Sequence, residues 1–185
     1  MFGSFNPVTP WPLTVVTTHL IIQGTLNTRL QRLTDVLNEP SADHLILSET
    51  TFMEVGSRRV LAGSALAQVQ LNDVLFVHAN IEAESGTQLR TPKRPIKATM
   101  LMAPFTIEGE IHLPYESELQ AALDGLSGRF VPVTNARYWA YAVAESPNYV
   151  DMLAVNHNRC HFALPAGTAW QGELVLNDEP GSNPW

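Results

Sequence analysis

At 185 residues, 45% hydrophobic and 8% aromatic, the chain holds enough apolar surface for one domain or two small ones, which excludes bulk disorder. The formal net charge of −7 opposes binding to a polyphosphate backbone on average, and a single cysteine excludes an internal disulfide. No window holds the roughly 20 apolar residues of a bilayer span, and the first residues lack a basic n-region and a long apolar h-region, so a soluble, cytoplasmic protein without a membrane partner is expected.

Taken in chain order, residues 1–14 read as an N-terminal extension rich in proline. Val15–Asn27 is β-branched and loosely alternating, which predicts a strand. Thr28 then caps a short helix over Arg29–Leu37, where Leu30, Leu33 and Leu37 share one face and Asn38 and Pro40 end it. Leu45–Val55 and Val69–Ile81 predict further strands, with a turn at Gly56–Arg59 and an ambiguous stretch at Ala62–Gln68. Segment 83–96, with Ser85, Gly86, Pro92 and Pro95, has linker chemistry. After it come a glycine-bearing strand ending at His112, a helix between Pro114 and Gly125, and strands over Phe130–Val143 and Met152–Phe162. Residues 166–185 read as a tail.

The chain repeats itself. Ile22-Gln23-Gly24-Thr25-Leu26-Asn27 returns as Ile107-Glu108-Gly109-Glu110-Ile111-His112. Leu33, Val36 and Leu37 return as Leu119, Ala122 and Leu123, and Asp73–Val77 returns as Asp151–Val155. Such self-similarity predicts an internal duplication, with module 1 at 15–82 and module 2 at 97–165. Each module carries four basic against seven acidic groups, counted over 1–82 and 97–165, and only the linker is net positive. The expected fold class is mainly β with short helices (α+β), in two tandem small barrels.

A strand with hydrophobic-x-Gly-x-hydrophobic (Ile22-Gln23-Gly24-Thr25-Leu26), then Asp35 and Asn38, then Leu45-Ile46-Leu47-Ser48-Glu49, then a late strand closing on Asn80-Ile81, resembles the Sm-like fold. It is similar in particular to a group of bacterial Sm-like modules with a short helix inserted after the glycine strand. The resemblance covers about 65 residues per copy and implies small, strongly bent SH3-type barrels, in which the glycine occupies a bend that has no room for a Cβ. It implies RNA binding only where the loop Asp/Asn and a later Arg-Gly pair are present. Here the later positions read Val77-His78-Ala79-Asn80 and Val155-Asn156-His157-Asn158, so that set is largely missing. Asp35 and Asn38 read instead as helix-end capping groups.

No nucleophile elbow, phosphate loop, dinucleotide fingerprint or zinc-protease motif occurs, so no catalytic residue is assigned and the chain is read as a non-enzyme. In His157-Asn158-Arg159-Cys160-His161 a strand would send 157, 159 and 161 to one face and Cys160 to the other, a poor geometry for zinc. Neither a metal nor a cofactor is expected, and Cys160 reads as an inert thiol. Glu108 and Glu110 read as a solvated strand face. Tyr138, Trp139 and Tyr141 read as core, with any exposed remainder marking an interface. The candidate ligand contacts are His78, Asn80, Asn156, His157 and Asn158, with the basic linker residues Arg90, Lys93 and Arg94. The expected function is a non-catalytic assembly or binding module that partners itself or another protein through strand edges, most simply as a closed trimer of six barrels. Pro7, Pro10, Pro12 and the tail covering those edges would leave a monomer. The alternative is RNA or nucleotide binding through the 90–97 run and the His/Asn loops.

Overall fold

A turn at residues 18 and 19 cuts the first predicted strand in two. In a computed structural model that describes residues 8–30, 32–79, 93–114, 119–141 and 146–164, the Thr17 hydroxyl accepts the Leu20 N–H at 3.0 Å and folds the chain back on itself. Strand β1 is Thr9–Thr17 and β2 is Leu20–Thr28. A short helix α1 (Leu33–Leu37) leads to β3 (His44–Glu54), β4 (Val60–Gln70) and β5 (Val74–Ala79). The second half runs β6 (Lys93–Met102), β7 (Phe105–Pro114), α2 (Leu119–Asp124), β8 (Phe130–Ala140), β9 (Asn148–Asn156), a 3-10 turn at His157–Arg159, and β10 (His161–Ala163). The chain is mainly β; the described residues hold two short helices and ten strands in one antiparallel sheet, ordered β10-β6-β7-β8-β9-β5-β1-β2-β3-β4.

Several expected boundaries move, each for a local reason. The extension 1–14 gives up Thr9–Thr14 to β1, and the linker gives up Lys93–Ile96 to β6. The prolines misled here. Pro10 and Pro12 lie where β1 pairs β2 but not yet β5, so a missing N–H breaks no ladder. Placed inside the sheet, they cannot cover its edge; Pro7 lies outside the described residues. The helix starts at Leu33, not Arg29, because Thr28 Oγ1 accepts the Leu30 N–H at 3.1 Å in a turn. Pro114 closes β7 and does not open α2. The ambiguous Ala62–Gln68 is the middle of β4. A turn at 71–73 breaks the predicted strand from Val69, and the 3-10 turn breaks the one from Met152.

Both glycine strands carry the same irregularity. The β2–β3 register slips between Gln23 and Thr25, and the β7–β8 register slips between Glu108 and Glu110. Opposite each slip one non-glycine residue sits in left-handed backbone, Glu49 at φ 52° and Asn135 at φ 49°. These are β-bulges, which bend and twist the bulged strand. A Cβ on Gly24 would lie 2.7 Å from Thr50 Cγ2, and one on Gly109 would lie 2.6 Å from Val133 Cγ1 and 3.0 Å from the Thr134 carbonyl oxygen.

One expected match is corrected. Asp73–Val77 and Asp151–Val155 do not hold corresponding places. Asp73 lies in the turn before β5, whereas Asp151 lies within β9, and the two strands pair with each other through Phe76↔Val155 and Val77↔Ala154. By sheet order β9 occupies the place of β4, and β10 that of β5. The likeness has a physical source: Val74–Val77 and Leu153–Val155 both lie at the centre of the sheet and are buried throughout, so both are continuously apolar.

The core spans the junction. Phe76 of β5 packs edge-on against Phe105 at 5.3 Å between ring centres and against Tyr138 at 4.8 Å. Phe130 and Ala154 of the second half are buried among Leu13, Val15, Leu37 and Val77 of the first. Polar groups fasten the same seam. The Asn38 side chain donates to the Phe130 carbonyl and accepts the Phe130 N–H, both at 2.8 Å. Asn156, 2% exposed, donates to the Val74 carbonyl at 2.9 Å, and Arg159 donates to the Asn72 carbonyl at 2.9 Å.

Candidate functional site

The β4 sequence, Val-Leu-Ala-Gly-Ser-Ala-Leu-Ala-Gln-Val-Gln, carries no charge and no proline over eleven residues. It pairs with β3 along nearly its whole length, and among the described residues nothing pairs with its other side. Residues 60–66 are all exposed, with Val60 at 62% and Leu66 at 63%. Edge strands that stay solitary are blunted by lysines, prolines or bulges. This one is long, without lysine or proline, and bulged at one point only, at Leu61, where Phe52↔Ala62 is followed by Met53↔Val60. At the opposite end β10 pairs with β6 through His161↔Leu101, Phe162↔Met100 and Ala163↔Thr99, again on one side only among the described residues. The sheet therefore ends in two unlike edges.

Where the two halves meet, a cleft of about 590 Å³ is lined by residues that include Thr14, Gln23, Arg58, His78, Tyr138 and Asn148. Among the described residues His78 is the one predicted ligand contact that lines it. Asn156 lies at the far end of the β5–β9 seam, where its Nδ2 donates to the Val74 carbonyl and its Oδ1 is buried. His157 and Asn158 sit in the 3-10 turn, where His157 Nε2 contacts the Gly128 carbonyl at 2.6 Å. Lys93 and Arg94 open β6 beside Pro114 and Leu113. Asn80 and Arg90 lie outside the described residues. His78 thus lies at one end of the β5–β9 pairing and Asn156 at the other, with Lys93 and Arg94 on β6, which β7 and β8 separate from β9.

Residues set aside as a plain solvated face turn out to be organised. Arg137 donates to Glu108 from the neighbouring strand, at 2.6 Å through Nε, and lies 5.9 Å from the Trp139 ring centre. The Glu108 hydrogen bond, then one to Tyr149, hold the Arg137 guanidinium above its ordinary pKa. Tyr141 and Tyr149 are exposed at 61% and 73%, whereas Tyr138 is core. His112 Nε2 meets Thr134 Oγ1 at 2.8 Å, and burial lowers its pKa, against Glu110, which raises it. Cys160 is half-buried and free, with desolvation pushing its thiol up to about 12, far from the range of a reactive thiolate. Among the described residues no group of three metal-ligating side chains forms, and no helix is long and apolar enough to cross a membrane.

Sequence reasoning missed β4 as the candidate site. Its signal was present, eleven residues without a charge or a proline, but that absence acquires meaning only when the strand lies at an edge. Comparison with known proteins finds no matching family model, no matching curated protein and no matching solved structure.

Proposed function

We propose that the chain is a non-catalytic assembly module made of two Sm-like units, which associates through the free edges of its sheet. One observation carries this reading: an uncharged, apolar, eleven-residue edge strand with exposed Val60, Leu61 and Leu66. The equal order of elements in the halves, strand-strand-helix-strand-strand-strand, and the matching bulges opposite Gly24 and Gly109 support the two-unit reading. Strand addition to such an edge satisfies a row of backbone N–H and C=O groups at once and needs no special side chain. The nucleic-acid alternative has less support, since both halves are acidic.

The test is Leu66→Lys. A lysine on the exposed face of the edge strand leaves the fold intact and opposes strand addition. Light scattering is expected to give the parent a mass above one chain, falling toward one chain in the variant at equal concentration, with unchanged circular dichroism. A parent that stays at one chain's mass over the whole accessible concentration range overturns the reading.

A further inference from the structure

The cleft between the halves opens where the shared core stops being apolar. Directly opposed residues on antiparallel strands point to one face, and residues two apart along a strand share it. Val16 pairs with Ile21 on one side and Phe76 on the other, and Ile21 pairs with Met53. One inward row therefore reads Met53-Ile21-Val16-Phe76, and it packs against the second half. Two residues along, Thr14 pairs with both Gln23 and His78. The next row on the same face reads Gln23-Thr14-His78, three hydrogen-bonding side chains in register. Tyr138 of the second half joins them, its ring centre 6.2 Å from that of His78. Arg58 enters from the turn before β4, where its N–H donates to the Glu54 carbonyl at 2.9 Å.

We infer that this cleft binds a small organic acid, an apolar body of a few carbons bearing a carboxylate. The site goes beyond the assembly reading and does not depend on the sheet edges. A volume of about 590 Å³ is that of a small-molecule site. Ile21, Met53 and the Tyr138 ring offer apolar surface to the body of the ligand. Thr14 and Tyr138 are buried while Gln23 is exposed, so hydrogen-bonding groups run from the floor of the cleft to its mouth. Charge sets the rest. The chain carries 18 acidic against 11 basic groups, yet the described residues that line the cleft include Arg58 and His78 and no aspartate or glutamate. Arg58 is engaged elsewhere as well, but a guanidinium carries five N–H donors in a fork that suits a carboxylate.

Saturation-transfer NMR on the full chain tests this, with benzoate and hexanoate as probes and benzamide and hexanamide as their uncharged counterparts. Both acids are expected to titrate to one saturable site, each bound about tenfold more tightly than its amide. Arg58→Asn removes the charge while suiting the left-handed backbone there, φ 56°, and is expected to erase the preference for acid over amide. Thr14→Val, close to isosteric, is expected to weaken acid and amide alike. Amides that bind as tightly as the acids overturn the inference. Binding that neither substitution weakens places the ligand elsewhere on the chain and overturns it too, as does the absence of saturable transfer from either acid up to about 10 mM. Should Arg58→Asn lose its native circular dichroism, Thr14→Val decides whether the cleft is the site, and the comparison of acid with amide on the parent decides the ligand class.

Discussion

Gly24 and Gly109 show how one missing Cβ shapes a strand. At Gly109 an added Cβ would meet a side-chain methyl at 2.6 Å and a backbone oxygen at 3.0 Å, and the oxygen cannot step aside without moving β8. Gly109→Val is therefore expected to cost on the order of 1–3 kcal/mol in urea unfolding, as overpacking does. Asn38 closes its own helix as expected, its backbone N–H donating to the Thr34 carbonyl, and its side chain serves besides as a two-handed clamp on Phe130 of the other half. Asn38→Ala leaves a backbone N–H and C=O unpaired and is expected to cost about 2 kcal/mol, with Asn38→Asp, which keeps only the acceptor, costing less. His112 adds a pH signature. Its folded pKa is depressed from 6.5, chiefly by burial, so the unfolded chain takes up a proton first on acidification. Its contribution to stability is complete above the unfolded pKa and is lost as pH falls through the folded one, and His112→Gln is expected to flatten that limb of a stability-versus-pH curve. Cys160 acts at the other end. A thiol raised from 9.0 to about 12 by desolvation favours the folded state below pH 9, an advantage lost as pH rises toward 12.

At the scale of elements, the same β chemistry yields strands of very different exposure. Residues 74–77 of β5 are buried throughout, whereas residues 60–66 of β4 are exposed throughout. Hydrogen exchange should separate them. Amides of 74–77 and 153–156 are expected to exchange only through global unfolding, and those of 60–66 to exchange faster in dilute solution and to gain protection as protein concentration rises. Equal protection of β4 at all concentrations would count against its being a docking edge. The helices are minor, at five and six residues too short to stand alone in water, and they hold because Leu33, Leu37 and Ala122 are buried against the sheet.

The whole molecule behaves as one body because its core is shared across the junction. Phe130 and Ala154 are buried with first-half residues, and Phe76 is buried with second-half residues. Single-tryptophan variants that keep Trp11 or Trp139 are accordingly expected to report the same unfolding midpoint in urea, whereas separable halves would give two. Residues 8–79 alone would expose Phe76 and Val77, which β9 now covers.

The sequence by itself determined the mainly β class, the near-repeat around Gly24 and Gly109, and the approximate places of β3, β8 and both helices. These depend on local periodicity, turn chemistry and capping, which neighbours in the chain express directly. Strand boundaries at Pro10, Pro12 and Pro95 were lost because proline is a breaker only where its missing N–H is needed, and the neighbouring strand decides that. The correspondence of Asp73–Val77 with Asp151–Val155 failed for a related reason: two runs that share one buried environment look alike whatever their ancestry. Only the tertiary structure decided which strands pair, and hence that β5 and β9 lie at the centre while β4 and β10 lie at the edges. A row of unpaired backbone groups leaves no trace in composition, because every strand carries the same N–H and C=O groups and the fold alone sets which of them find a partner.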